Sequence, residues 1–168
     1  MQLSFSLFQT TKLLLVAYAL FTFGCQIERC PEEEPELEFY RYDYQSADPN
    51  NTTSTDTLTL IFQFADCQGD VGIPAGEDTK NLQTELFYKS QGEWVRFVAP
   101  DTTLADILYA QVPEAKRLKK NQRVEGFIEQ PINSPRSFGV DTIRFETVLF
   151  DVVGNSSQRI TTPEYVLN

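Results

Sequence analysis

Histidine is absent from all 168 residues of the chain. That absence excludes a Ser-His-Asp triad, a Cys-His pair and a histidine-ligated zinc site. Catalysis would have to rest on carboxylates, lysine, tyrosine or cysteine, without the side chain most often used as a general acid or base. Positive charge is also scarce. Fourteen Lys and Arg stand against 24 Asp and Glu, for a net charge of -10. Nucleic-acid binding needs clustered basic residues to neutralise phosphates, so this balance argues against it. It equally disfavours electrostatic attraction to an anionic lipid surface. Cysteine is limited to three residues.

What the chain does have is apolar material. Aromatics make up 12% and hydrophobic residues 41% of the sequence, enough for one core and richer than a disordered chain of this charge. The length fits a single domain with terminal extensions.

The N-terminal segment is read first. Lys12 is the only charge before Cys25, and Leu13 to Phe23 (LLLVAYALFTF) is uncharged and apolar. The run has the length of a signal-peptide core and falls short of the roughly 20 residues a membrane-spanning helix needs. It ends at Gly24-Cys25, and acids follow at once. This seam resembles the lipobox of bacterial lipoproteins, in which a small residue precedes the cysteine that is acylated and becomes the first residue. Thr22 and Phe23 stand where a lipobox more often has leucine and a smaller residue. The resemblance implies a signal peptide over 1–24 and lipid on Cys25. The alternative is ordinary secretory cleavage, with Cys25 left as a free or disulfide-bonded thiol.

Removing residues 1–24 leaves 13 basic and 24 acidic residues. Six of the acids lie between Glu28 and Glu38, with Pro31 and Pro35 among them. Self-repulsion and proline keep such a block extended and solvated, so residues 25–36 are expected to form an acidic tether. In Bacteroidota lipoproteins an acidic stretch behind the acylated cysteine is similar to a signal for the outer face of the outer membrane. If Cys25 carries lipid, Cys30 and Cys67 remain. An exported domain occupies an oxidising compartment, so the two are a candidate disulfide, with a pair of free thiols as the alternative.

From Leu37 onward the chain reads as strands. In TLTLIFQF (57–64), Leu58, Leu60, Phe62 and Phe64 fall on one face and Thr57, Thr59, Ile61 and Gln63 on the other. LEFYRYDY (37–44) shows the same period, which places Tyr40, Tyr42 and Tyr44 together. LQTELFYKS, Gln91-Gly92 and EWVRFV form a predicted hairpin. Further strands are expected at 106–112, 123–132, 141–152 and 159–167, separated by the turn clusters DPNN, NSPRS and GNSS. PEAKRLKKNQ (113–122) offers at most one helical turn. About seven or eight short strands with turns between them predict an all-β fold over 37–168. The expected form is an antiparallel, immunoglobulin-like sandwich, with a barrel as the alternative.

Two strand ends carry the most distinctive residues. FADCQGDVG (64–72) holds Asp66, Gly69 and Asp70, and FDVVGNSSQ (150–158) holds Asp151, Gly154 and Asn155. Together with Asp141 to Glu146 (DTIRFE) and Thr162-Pro163-Glu164, these segments resemble a pattern found in Bacteroidota lipoproteins that have no assigned activity. The resemblance implies an immunoglobulin-like sandwich on a lipid anchor and implies no chemistry. The chain departs from the pattern at Cys67 and Gln68, where a glycine and a further aspartate are commoner.

Calcium takes six to eight oxygens from carboxylates, amides and carbonyls. Asp66, Asp70, Asp151 and Asn155 would supply four if the two turns share one end of the sandwich, and Asp78 a fifth. The opposing expectation is that each aspartate caps its own turn by accepting backbone amides.

Three functional readings follow. The first is a non-catalytic, lipid-anchored cell-envelope domain that binds or supports a partner, an envelope protein or a glycan, at the outer membrane and on the cell surface. The second is a carbohydrate-binding module that stacks sugars on exposed tyrosines. The third is a histidine-free hydrolase built on a carboxylate pair. Lys116, Arg117, Lys119, Lys120 and Arg123 are the one basic cluster, read as a solvated loop or as a surface for an acidic partner.

Overall fold

The computed structural model of the chain describes residues 34–51, 54–98, 108–114 and 123–167. The chain divides into two units, Met1–Cys30 and Pro31–Asn168. The first lies outside the described residues, as do Cys25, Cys30 and the predicted turn of helix over 115–122. The described residues belong to the second unit.

Nine strands form this unit among the described residues: β1 (Glu36–Gln45), β2 (Thr57–Asp66), β3 (Leu82–Ser90), β4 (Glu93–Arg96), β5 (Tyr109–Ala110), β6 (Val124–Asn133), β7 (Thr142–Leu149), β8 (Ile160–Thr161) and β9 (Tyr165–Val166). One sheet has the order β1-β2-β6. The other has the order β4-β3-β7-β8, with β5 added to β3 and β9 to β7. All these pairings are antiparallel. The expected all-β antiparallel sandwich is therefore present. The strand predicted over 159–167 is two strands, because Pro163 has no amide hydrogen to continue a ladder and β8 and β9 form on either side of it.

Alternation explains the core. Leu58, Leu60, Phe62 and Phe64 of β2 are all buried, as the period predicts, and they meet Leu82, Leu86, Ile143, Phe145 and Leu149 of the second sheet. One polar group crosses this interior. Thr84 on β3 donates to Gln130 Oε1 on β6 (2.8 Å) and lies 3.1 Å from Thr147 Oγ1 on β7. Buried polar groups are tolerated where they find partners; the trio links the two sheets through its oxygens, while Gln130 Nε2 is buried without a partner.

β1 departs from strict alternation. Phe39 pairs with Phe62 and Arg41 with Ile61, so Tyr40 is an extra residue. A bulge of this kind sets two successive side chains on one face. Tyr40 and Arg41 both point outward and are exposed, while Phe39, Tyr42 and Tyr44 pack against the core. The expectation that Tyr40, Tyr42 and Tyr44 share a face is thus corrected. Tyr42 closes the sandwich instead. Its hydroxyl donates to the Pro163 carbonyl (2.7 Å) and is hydrogen-bonded to Thr162 Oγ1 (2.6 Å), which in turn accepts the Phe145 amide (2.8 Å). Burial pushes the Tyr42 hydroxyl up to about 12.

Candidate functional site

The two aspartate-bearing turns do lie together. β2 ends at Asp66, which is 1% exposed. Its Oδ1 accepts the Gln68 amide (3.0 Å), and its Oδ2 accepts those of Asp70 (2.6 Å) and Val71 (3.0 Å). Gly69 takes a φ of 67° within this loop, the left-handed region that glycine enters freely. The second turn repeats the device. Asp151 Oδ1 accepts the amides of Val153 (3.0 Å) and Asn155 (2.8 Å), and Oδ2 accepts the Asn155 side-chain amide (2.7 Å). The turns are joined directly, since the Val152 amide donates to the Asp70 carbonyl (3.1 Å).

A residue that sequence reasoning passed over holds the junction from inside. Asn81 is 2% exposed. Its Nδ2 donates to the carbonyls of Val71 (2.5 Å) and Phe150 (3.1 Å), and its Oδ1 accepts the Val112 amide (2.8 Å). One side chain therefore ties the exit of β2, the exit of β7 and the segment after β5. Nothing local in Lys80-Asn81-Leu82 signals this, because every partner lies at least 10 residues away. The same segments form a bridge, with Ile73 N to Val112 O at 2.9 Å and Glu114 N to Ile73 O at 3.1 Å. Gly72 makes the approach possible. A Cβ there would land on the Glu114 backbone and 2.9 Å from the Pro113 carbonyl. Gly72→Ala is expected to cost about 2 to 3 kcal/mol, as overpacking against backbone does, measurable as a lower urea midpoint at unchanged slope.

These contacts show the capping that was the second expectation for the acids. The oxygens of Asp66 and Asp151 are committed to amide donors, and Asn155 turns its amide nitrogen to the Asp151 carboxylate. Among the described residues no group of three or more acids or cysteines is arranged to hold a metal ion. Asp78 stands on an exposed loop beside Lys80 (3.8 Å). Asp66 and Asp151 are thus turn caps, as the second expectation has it.

Asp70 is the strained member. Its Oδ1 is buried without a partner. Burial, then the charges of Asp66 and Asp151, raise its carboxyl above the usual carboxylate range. A raised folded-state value favours the protonated acid. Its contribution to stability is therefore full below the unfolded carboxylate range and is lost as pH rises through the folded value. Asp70→Asn is accordingly expected to raise Tm at pH 7 and to leave it unchanged near pH 3. Paired thermal melts at the two pH values check this.

The remaining candidates are placed as follows. Cys67 is disulfide-bonded. Arg123 Nη1 lies 3.9 Å from its sulfur, and the same side chain pairs with Glu36 (3.5 Å) and Glu125 (3.7 Å). Lys116, Arg117, Lys119 and Lys120 lie outside the described residues. A cleft of about 220 Å3 opens beside β3, lined by Thr84, Glu85, Arg96, Phe97, Leu108 and Tyr109 among others. Its carboxylate, Glu85, is held by Arg96 (2.5 Å) and Arg159 (2.9 Å), which makes it an ion-pair partner on the sheet surface. Comparison with protein families, with curated proteins and with solved structures finds no match.

Proposed function

We propose that the chain is a non-catalytic, lipid-anchored cell-envelope protein, held at the outer membrane through Cys25 and facing the cell surface. Its immunoglobulin-like sandwich serves as a binding or structural accessory domain. One observation carries the non-catalytic part. The most chemically distinctive acids of the sequence, Asp66 and Asp151, spend their oxygens on backbone amides and on the Asn155 side-chain amide. They support the fold, and the sheet faces are left to meet partners. The anchor is supported by the uncharged run over 13–23 that ends at Gly24-Cys25 and by the acids that follow.

With Cys25 acylated, Cys30 becomes the partner for the Cys67 disulfide. Alkylation of the unreduced full chain is expected to label neither, and Cys30→Ser to expose one thiol at Cys67. A thiol freed by Cys25→Ala instead would reassign the pair.

The test of location compares the full chain with Cys25→Ala in a Bacteroidota host. The full chain is expected in the outer-membrane fraction and to be cut by protease added to intact cells. Cys25→Ala is expected in the soluble fraction. Equal membrane retention of the two would contradict the anchor.

A further inference from the structure

The outer face of the β1-β2-β6 sheet holds a feature that the turn junction does not use. Tyr40 is 52% and Phe127 58% exposed, and they are the exposed large aromatics among the described residues. They are neighbours, with ring centroids 5.1 Å apart and planes tilted by 55°. The bulge in β1 is what brings Tyr40 to this face. Single exposed apolar residues are ordinary on a soluble protein. Two touching rings on an otherwise polar sheet face form a patch.

The strand register fixes what surrounds the rings. Gln63 sits opposite both Glu38 and Phe127, and Ile61, which is buried, sits opposite both Arg41 and Glu129. The Arg41 guanidinium lies over the Tyr40 ring at 5.1 Å from its centroid. The patch thus has two rings, with Arg41 over one of them, Glu38, Gln63 and Glu129 at its edge, and Ile61 buried beneath it.

Size and charge select the occupant. An aromatic side chain offers about 150–250 Å2, so two half-exposed rings leave on the order of 200 Å2. A stable protein partner needs roughly 800 Å2 per side. One or two pyranose rings match the smaller area. Their C–H faces stack on aromatic rings, while their hydroxyls take in-plane partners of the carboxylate, amide and guanidinium kind. On this face Glu36, Glu38, Asp43, Glu125 and Glu129 outnumber Arg41 and Arg123, which repels an anionic polymer.

We propose that the Tyr40–Phe127 pair is a stacking platform for a neutral hexopyranose oligosaccharide. The proposal rests on reading the domain as a binding module and names its ligand class.

The test titrates detergent-extracted full chain with neutral hexaoses of gluco, manno and galacto type, using a uronic-acid hexaose as the charged control. At least one neutral hexaose is expected to bind, and the charged one to bind at least tenfold more weakly. Tyr40→Ala and Phe127→Ala are each expected to weaken binding tenfold or more. Tyr40→Phe retains the stack and binding within about threefold. Val153→Ala, on the exposed turn after β7, leaves binding unchanged. Melting curves of each variant separate loss of binding from loss of fold. Absence of binding to every neutral hexaose at millimolar concentration would overturn the proposal, as would binding indifferent to both alanine variants. So would a contact to another protein that the alanine variants abolish while no hexaose binds. The fractionation result with Cys25→Ala stands apart from these outcomes, so failure of the ligand assignment is distinguishable from failure of the anchor.

Discussion

Asn81→Ala is expected to destabilise the domain by about 4 kcal/mol and to lower Tm by on the order of 15 °C. The substitution strips three hydrogen bonds from a side chain that is 2% exposed. It leaves the carbonyls of Val71 and Phe150 and the amide of Val112 without their side-chain partner. A buried polar group deprived of its partner costs about 1–3 kcal/mol, which exceeds the net value of the bond itself. Asn81→Asp discriminates further. It keeps an acceptor for the Val112 amide but sets a second acceptor against two carbonyls. It should therefore be no more stable than the alanine variant. Amide exchange at Val112 gives a local reading, with protection lost in both variants well before the strands of the core open. A melting point within about 3 °C of the parent for Asn81→Ala would show that the three segments do not depend on this side chain.

Asp66→Ala is expected to cost about 3 kcal/mol. Three amides lose an ionised acceptor, and hydrogen bonds to charged groups are the stronger kind, about 1.5–3 kcal/mol each. The loss is smaller than that sum because Asp66 also repels Asp70, whose carboxyl is raised by burial first and then by this neighbouring charge. Removing Asp66 relieves that repulsion. Asp66→Asn retains an acceptor for Gln68 and presents its amide to the donors of Asp70 and Val71, so it should fall between parent and alanine. The pair Asp66→Asn with Asp70→Asn is expected to be non-additive, since the two groups interact directly. Excess chelator or millimolar calcium should leave the parent Tm where it is. A calcium-dependent rise of several degrees that Asp66→Asn abolishes would establish the metal reading.

The parts of this fold that were legible in the sequence follow from period and punctuation. β2 alternates cleanly because one of its faces is core, and Leu58, Leu60, Phe62 and Phe64 are buried as that pattern requires. Gln91 and Gly92 mark the β3–β4 hairpin by taking φ values of 52° and 89°, which the Gln-Gly pair foreshadows. The meeting of the two aspartate turns was legible as a condition. Their role was not, because a carboxylate that caps a turn and one that binds calcium look alike in sequence. The choice depends on which amides lie within reach. Two features were hidden for a different reason. The bulge at Tyr40 arises from pairing with β2, and LEFYRYDY reads as uninterrupted alternation without that partner. Asn81 acts only on residues distant in sequence, so no local pattern reveals it. The site proposed for glycan depends on both β1 and β6, which are far apart in the chain and meet only across β2.

The claim that places this domain in the envelope is the acylation of Cys25. Mass spectrometry of the N-terminal peptide, taken from full chain isolated from host membranes, tests it most directly. The expected result is a first residue at Cys25 that carries lipid, with residues 1–24 gone. A peptide that begins elsewhere, or an unmodified Cys25, would contradict the anchor and leave residues 1–24 as an ordinary secretion signal.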